Sequence, residues 1–184
     1  MFPSPAPARA FLFALLLAAH LLGAAGLWLD VPFVRQIKNG CGAASVSMIL
    51  QYWRNQGVAV EAEAADAALI QNLLYSKEAR GIWGSDLEEY LRARNFQTFA
   101  FVGKWDDLRQ HLEKGRPLMV CLGDADAEGS RHYVVVTGLD EAGGLILVND
   151  PQRRKLANIR REQFEREWAA AGHWTLLALP QNRQ

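Results

Sequence analysis

The chain is poor in the devices that small exported proteins or nucleic-acid binders depend on. It holds two cysteines in 184 residues, Cys41 and Cys121. A single pair cannot form the disulfide framework that substitutes for a core, so the domain must fold on apolar burial. Charge of one sign is not in excess: twenty basic side chains balance twenty acidic ones. Without a basic face or tail, nucleic acid is not an expected partner. Cysteine and histidine never fall at metal-ligand spacing, and no cofactor motif occurs, so none is expected. Asp124-Ala-Asp-Ala-Glu-Gly129 opens like a calcium loop, but the position that needs a bidentate glutamate holds Val135. There is no internal repeat, and Pro and Gly do not cluster into a linker. One domain is expected over residues 27–184.

One apolar run does stand out. Arg9 precedes Ala10 to Leu22, broken only by His20, and small residues follow at Gly23-Ala-Ala-Gly26. A positive flank, a short apolar stretch and a small-residue end are the pattern of a secretory signal peptide. The run is short for a full membrane span, which needs about 20 apolar residues. Residues 1–26 therefore read as a signal peptide cut after Ala25 or Gly26, with an uncleaved membrane anchor as the alternative. Either gives an exported protein (periplasmic, secreted or membrane-anchored).

Periodicity divides the rest into helices first and strands later. Ala44, Met48, Ile49, Tyr52 and Trp53 recur at helical spacing and predict a helix over 41–53, ended near Gly57. Further helices are predicted over 61–75, over 85–94 behind a Ser85-x-x-Glu88 capping box, over 105–114 and over 161–171. Strands are predicted at 97–102, 117–122, 133–139, 145–149 and 173–179, with Glu141-Ala-Gly-Gly144 as a hairpin turn. The class is α+β, with N-terminal helices packed on a mostly antiparallel sheet.

Four residues carry candidate chemistry. Cys41, in Asn39-Gly-Cys-Gly-Ala-Ala-Ser45, opens the first predicted helix, where free backbone N–H groups and the positive end of the dipole favour thiolate. Gly40 and Gly42 leave room for a substrate backbone. The bland alternative is a buried structural cysteine, which is the reading for Cys121 inside Pro117-Leu-Met-Val-Cys-Leu122. Gln36, five positions earlier, offers a side-chain amide that with the Cys41 N–H can form an oxyanion hole. His132 opens the strand His132-Tyr-Val-Val-Val and is placed to serve as general base and acid. His20, His111 and His173 have weaker settings. Asp150 ends the neighbouring strand and can accept a bond from the second imidazole nitrogen, with Asn149 as fallback for the same role. Trp83, between glycines, is equally suited to a substrate groove and to a core anchor.

Val31-Pro-Phe, Gln36-x4-Cys41-Gly-Ala-Ala, Gly115-Arg-Pro117, His132-Tyr-Val-Val-Val and Val148-Asn-Asp-Pro151, in this order, resemble the peptidase C39-like family over residues 30–152. The resemblance implies a papain-like cysteine peptidase fold, a Cys-His-Asp triad at Cys41, His132 and Asp150, and an oxyanion-hole glutamine at Gln36. It implies a peptide or protein substrate, cut through a thioester acyl-enzyme in peptide or leader-peptide maturation. Better-known members are N-terminal domains of ABC exporters that cut leaders after Gly-Gly. This sequence departs from them: it has no transporter helices or nucleotide-binding motif, and Gly40 stands where they often carry Asp. A non-catalytic peptide-binding module and an acyl transferase or amidase on the same fold are the rival readings. Retention of all four polar positions disfavours the module.

Overall fold

The computed structural model describes residues 26–123 and 131–181. The export segment therefore lies outside the described residues, apart from Gly26, and so does the acidic loop 124–129. Strand β1 is Leu27–Trp28, and an irregular strap then leads to helix α1, Cys41–Asn55. After a 3-10 turn at Glu63–Ala65 come α2, Ala67–Leu74, and α3, Gly84–Arg92. Strand β2, Phe96–Val102, and α4, Trp105–Glu113, precede β3, Leu118–Gly123. The chain continues through β4, Arg131–Asp140, β5, Leu145–Asn149, β6, Ala157–Arg160, α5, Arg161–Ala170, and β7, Trp174–Pro180. Among the described residues, no helix is long and apolar enough to cross a membrane.

These strands form one sheet in the order β2-β7-β3-β4-β5-β6, and each pairing is antiparallel. The short β1 pairs with the end of β4, Leu27 with Leu139 and Trp28 with Gly138. Strand alternation splits the apolar residues between two layers. Met119, Val135, Leu176 and Ala178 face α1, α2 and α3, whereas Leu118, Val120, Val134, Val136, Ile146 and Val148 face α4 and α5. The sheet is thus covered on both sides. The expected packing of N-terminal helices on an antiparallel sheet holds for one face, and the other is closed by α4 and α5, where Phe164 and Trp168 are fully buried.

Local chemistry explains where the expected boundaries moved. The helix predicted over 61–75 is interrupted because the Asp66 carboxylate accepts from the N–H groups of Ala68 and Leu69, which restarts the chain as α2. The Ser85 capping box does not form: α3 begins at Gly84 behind an extended Trp83, and the Ser85 hydroxyl turns to Asp86. Two strands escaped the sequence reading. β1 is only two residues long, and β6 alternates buried Ala157 and Ile159 with exposed Asn158 and Arg160 over four residues.

Candidate active site

Cys41 is the first residue of α1, reached through a tight turn in which Gly40 N–H returns to the Ile37 carbonyl at 2.9 Å. Asn39 takes a left-handed conformation there, φ 57°, which asparagine tolerates better than most residues. The first intrahelical bond runs from Ala44 N–H to the Gly40 carbonyl. The N–H groups of Cys41, Gly42 and Ala43 therefore have no intrahelical acceptor and gather at the thiol end of the helix. Space beside the two glycines is filled by protein rather than left for substrate. A Cβ on Gly40 would come within 3.0 Å of the Ile37 carbonyl, and one on Gly42 would touch Leu87, Tyr133 and Ile82.

The sheet brings the other groups to this helix tip. Strand β5 pairs with β4 only as far as Val135–Asn149, so the first residues of β4 lack a neighbour on that side. His132 shares strand parity with Val134 and Val136, and Asp150 shares it with Ile146 and Val148. The imidazole Nε2 and a carboxylate oxygen of Asp150 meet at 2.8 Å. The same oxygen accepts from the N–H groups of Gln152 and Arg153, at 2.9 and 3.3 Å. The Arg153 guanidinium stands 3.5 Å from the other carboxylate oxygen. With Nε2 occupied, Nδ1 is the nitrogen left to face the thiol, and the His132 side chain lowers the titration of Cys41 both as a hydrogen-bonding group and as a charge.

Electrostatics favour the charged form of all three. Burial pushes the Cys41 thiol up, but the His132 hydrogen bond, the Tyr133 N–H, the His132 charge and the Gly42 N–H outweigh it, and the thiol titrates below its ordinary value. Burial pulls His132 down, yet the Asp150 and Cys41 bonds and charges raise it to about 9. Burial likewise raises Asp150, and its bonds to His132, Gln152 and Arg153 bring it below the usual carboxylate range. Both shifts act in the direction that favours a thiolate beside a protonated imidazole. Cys121 provides the contrast: burial pushes its thiol up to about 11, and it packs in the middle of β3 as a small apolar residue. Both cysteines are free. Access is retained, since Cys41 is partly exposed and the His132 side chain is 23% exposed.

The chain belongs to the Peptidase_C39 like family. The sequence matches that family over residues 28–175, most of its length. Solved structures agree on the papain-like fold. A C39-like peptidase from Bacillus anthracis is 19% identical, with a TM-score of 0.68 over 86% of this chain and 100% of that one. The peptidase domain of Streptococcus ComA, a bifunctional ABC transporter of a quorum-sensing pathway, is 19% identical, with a TM-score of 0.64 over 83% of this chain and 100% of that domain. A double-glycine-motif protease from an AMS/PCAT transporter, solved with its leader peptide, is 20% identical, with a TM-score of 0.61 over 84% of this chain and 94% of that one. No curated protein matches the sequence.

The remaining candidates lie at varied distances from this helix tip. Gln36 is tied by its backbone N–H to the Pro151 carbonyl at 3.0 Å, directly after Asp150. Its side-chain Oε1 is buried without a partner among the described residues. A buried acceptor left unpaired costs about 1–3 kcal/mol, and an oxyanion would be bound by the other end of this amide, its Nε2 donor. Asn149 is not an alternative acid: it points to the α1 side of the sheet and bonds the carbonyls of Val31 and Pro32. His111 lies on α4 beside Phe101, and His173 meets Trp168 edge to face with ring centroids 4.9 Å apart, so neither joins Cys41. Trp83 is 49% exposed, which excludes the core-anchor reading. The contacts of a Cβ at Gly42 with Ile82 and Leu87 show that the segment bearing Trp83 packs beside the start of α1. The sequence reading missed Arg153 as a partner of Asp150, since an arginine in a polar turn carries no signal of its own.

Proposed function

We propose that the protein is an exported cysteine peptidase that cleaves peptide bonds through a Cys41–His132–Asp150 triad, with Gln36 in the oxyanion hole. The observation that carries this reading is His132 Nε2 lying 2.8 Å from the Asp150 carboxylate while the same imidazole lowers the titration of the Cys41 thiol. A thiolate formed this way attacks the peptide carbonyl carbon, and the carbonyl π pair moves to oxygen. The Cys41 N–H and the Gln36 amide receive that oxyanion, a contribution of roughly 3 kcal/mol per donor. As the C–N bond breaks, His132 gives its proton to the departing amine and leaves a thioester. His132 then takes a proton from water, which attacks the thioester and releases the carboxylate product and the thiolate. Asp150 holds the ring and stabilises its charged form throughout.

The apolar segment after Arg9 supports export, and the site itself needs no cofactor for these steps. Peptide substrates in maturation suit the family frame, in which a transporter-associated relative was solved with a leader peptide. The test is covalent labelling by a peptide electrophile directed at thiols, followed by mapping of the modified residue. Modification at Cys41 that depends on His132 is the expected result. Labelling at Cys121 instead, or at Cys41 with unchanged rate in His132→Ala, would remove the basis for the triad. Amino-terminal sequencing of the mature protein tests removal of residues 1–26.

A further inference from the structure

The strap between β1 and α1, residues 29–40, has no strand or helix ladder to fix it, yet it carries Gln36. Its position is set by tertiary bonds, and those nearest Gln36 converge on the end of β5. Asn149 Nδ2 donates to the carbonyls of Val31, at 3.0 Å, and Pro32, at 3.3 Å. Pro151 accepts the Gln36 N–H at 3.0 Å, and the Arg35 guanidinium reaches the carbonyls of Gln152 and Arg153. Asn149 Oδ1 accepts the N–H of Leu156 at 3.0 Å, which closes the loop holding Asp150. Asn149 is 0% exposed. Its one amide therefore binds the strap with its donor end and the Asp150 loop with its acceptor end.

We propose that Asn149 is a positioning residue for the oxyanion hole: it sets where Gln36 stands relative to the triad. The inference rests on the reading of Gln36 as an oxyanion donor. Strand alternation makes the arrangement possible, because Asp150 faces His132 while its neighbour Asn149 faces the strap. Asparagine is suited to the position because it alone supplies two donors and an acceptor from a short planar group. An aspartate would lose both donors, and a leucine would lose all three bonds. A donor displaced by about 1 Å from a developing oxyanion costs roughly 100-fold in rate, so loosening the strap weakens turnover without touching the thiol.

The experiment compares turnover of a peptide substrate with alkylation of Cys41 by iodoacetamide across pH. Alkylation uses the thiolate–imidazolium pair but generates no oxyanion. For Asn149→Leu, kcat is expected to fall roughly 10- to 100-fold, with KM changed little and with alkylation rate and pH profile retained. In a Gln36→Ala background the same substitution should add almost nothing, because both changes remove one interaction. Asn149→Ser, which leaves space for water, serves if the leucine variant does not fold. Equal loss of turnover and alkylation would show a general structural role and overturn the proposal. Full additivity with Gln36→Ala, or unchanged turnover in the Asn149 variants while Gln36→Ala is impaired, would also overturn it. Unchanged turnover in Gln36→Ala alone would instead refute the oxyanion reading, and the inference with it.

Discussion

Nε2 of His132 stands 2.8 Å from a carboxylate oxygen of Asp150, across the open end of a sheet where their two strands no longer pair with each other. The gap lets an imidazole turn between a carboxylate on one side and a helix tip on the other. Had β5 paired with β4 for one more residue, Asp150 would be a ladder residue opposite Val134.

Removing the ring should change the reactivity of the thiol more than its accessibility. In His132→Ala, Cys41 loses the partner that lowers its titration and keeps the burial that raises it. Alkylation near pH 7 should drop, and recover only as pH rises into the ordinary thiol range or beyond. Peptide turnover should fall roughly 100- to 10,000-fold. The measurement is the second-order iodoacetamide rate against pH, and an unshifted profile would contradict the ion pair.

The pH–rate profile of peptide cleavage should be bell-shaped. Its acid limb reports formation of the thiolate–imidazolium pair, and it lies below the ordinary thiol value because Cys41 is lowered. Its alkaline limb reports loss of the His132 proton, at about 9. Both are properties of the coupled pair. A profile that rises monotonically through pH 10 would show that a protonated His132 is not required.

Replacing the acid tests the source of the raised imidazole. Asp150→Asn removes the negative charge 2.8 Å from Nε2 while keeping side-chain size. His132 should then titrate lower, and the alkaline limb should move to lower pH with reduced kcat. The amide can also present its NH2 to the ring and favour the wrong tautomer. Titration of the ring by NMR in both proteins checks the direction.

A stability prediction comes from the far face of the sheet. A Cβ on Gly103 would collide with Thr175 Oγ1 and reach 2.6 Å from the Trp168 ring. Both neighbours are fully buried, so neither can step aside cheaply. Gly103→Ala should destabilise the fold by about 1–3 kcal/mol, read as a lower urea midpoint with unchanged m-value. Cys41 alkylation of the folded fraction should be unaffected.

How much was legible in advance can be seen residue by residue. Asp150 and Asn149 are adjacent and both polar, and only one carries a charge, so the sequence could rank them but not orient them. Pairing register decided it, by placing Asn149 opposite Val135 on the α1 side. Trp83 gave no clue to its exposure, since glycine neighbours fit a groove and a core equally. The partnership of Arg153 with Asp150 depends on how the turn after β5 folds back. That turn has no periodicity to read.

By itself the sequence determined what depends on short-range pattern: a cysteine at a helix start, a histidine opening an apolar strand, an acid ending its hairpin partner, and the Peptidase_C39 like frame in which they occur. Those signals are local because capping, strand alternation and turn chemistry act over a few residues. Only the tertiary structure decided that α4 and α5 close the second face of the sheet, that Asn149 holds the strap rather than the imidazole, and that Gln36 is anchored beside Asp150. Each of these rests on contacts between residues far apart in the chain, such as Asn149 with Val31. Such contacts are set by packing and register, which no local pattern encodes.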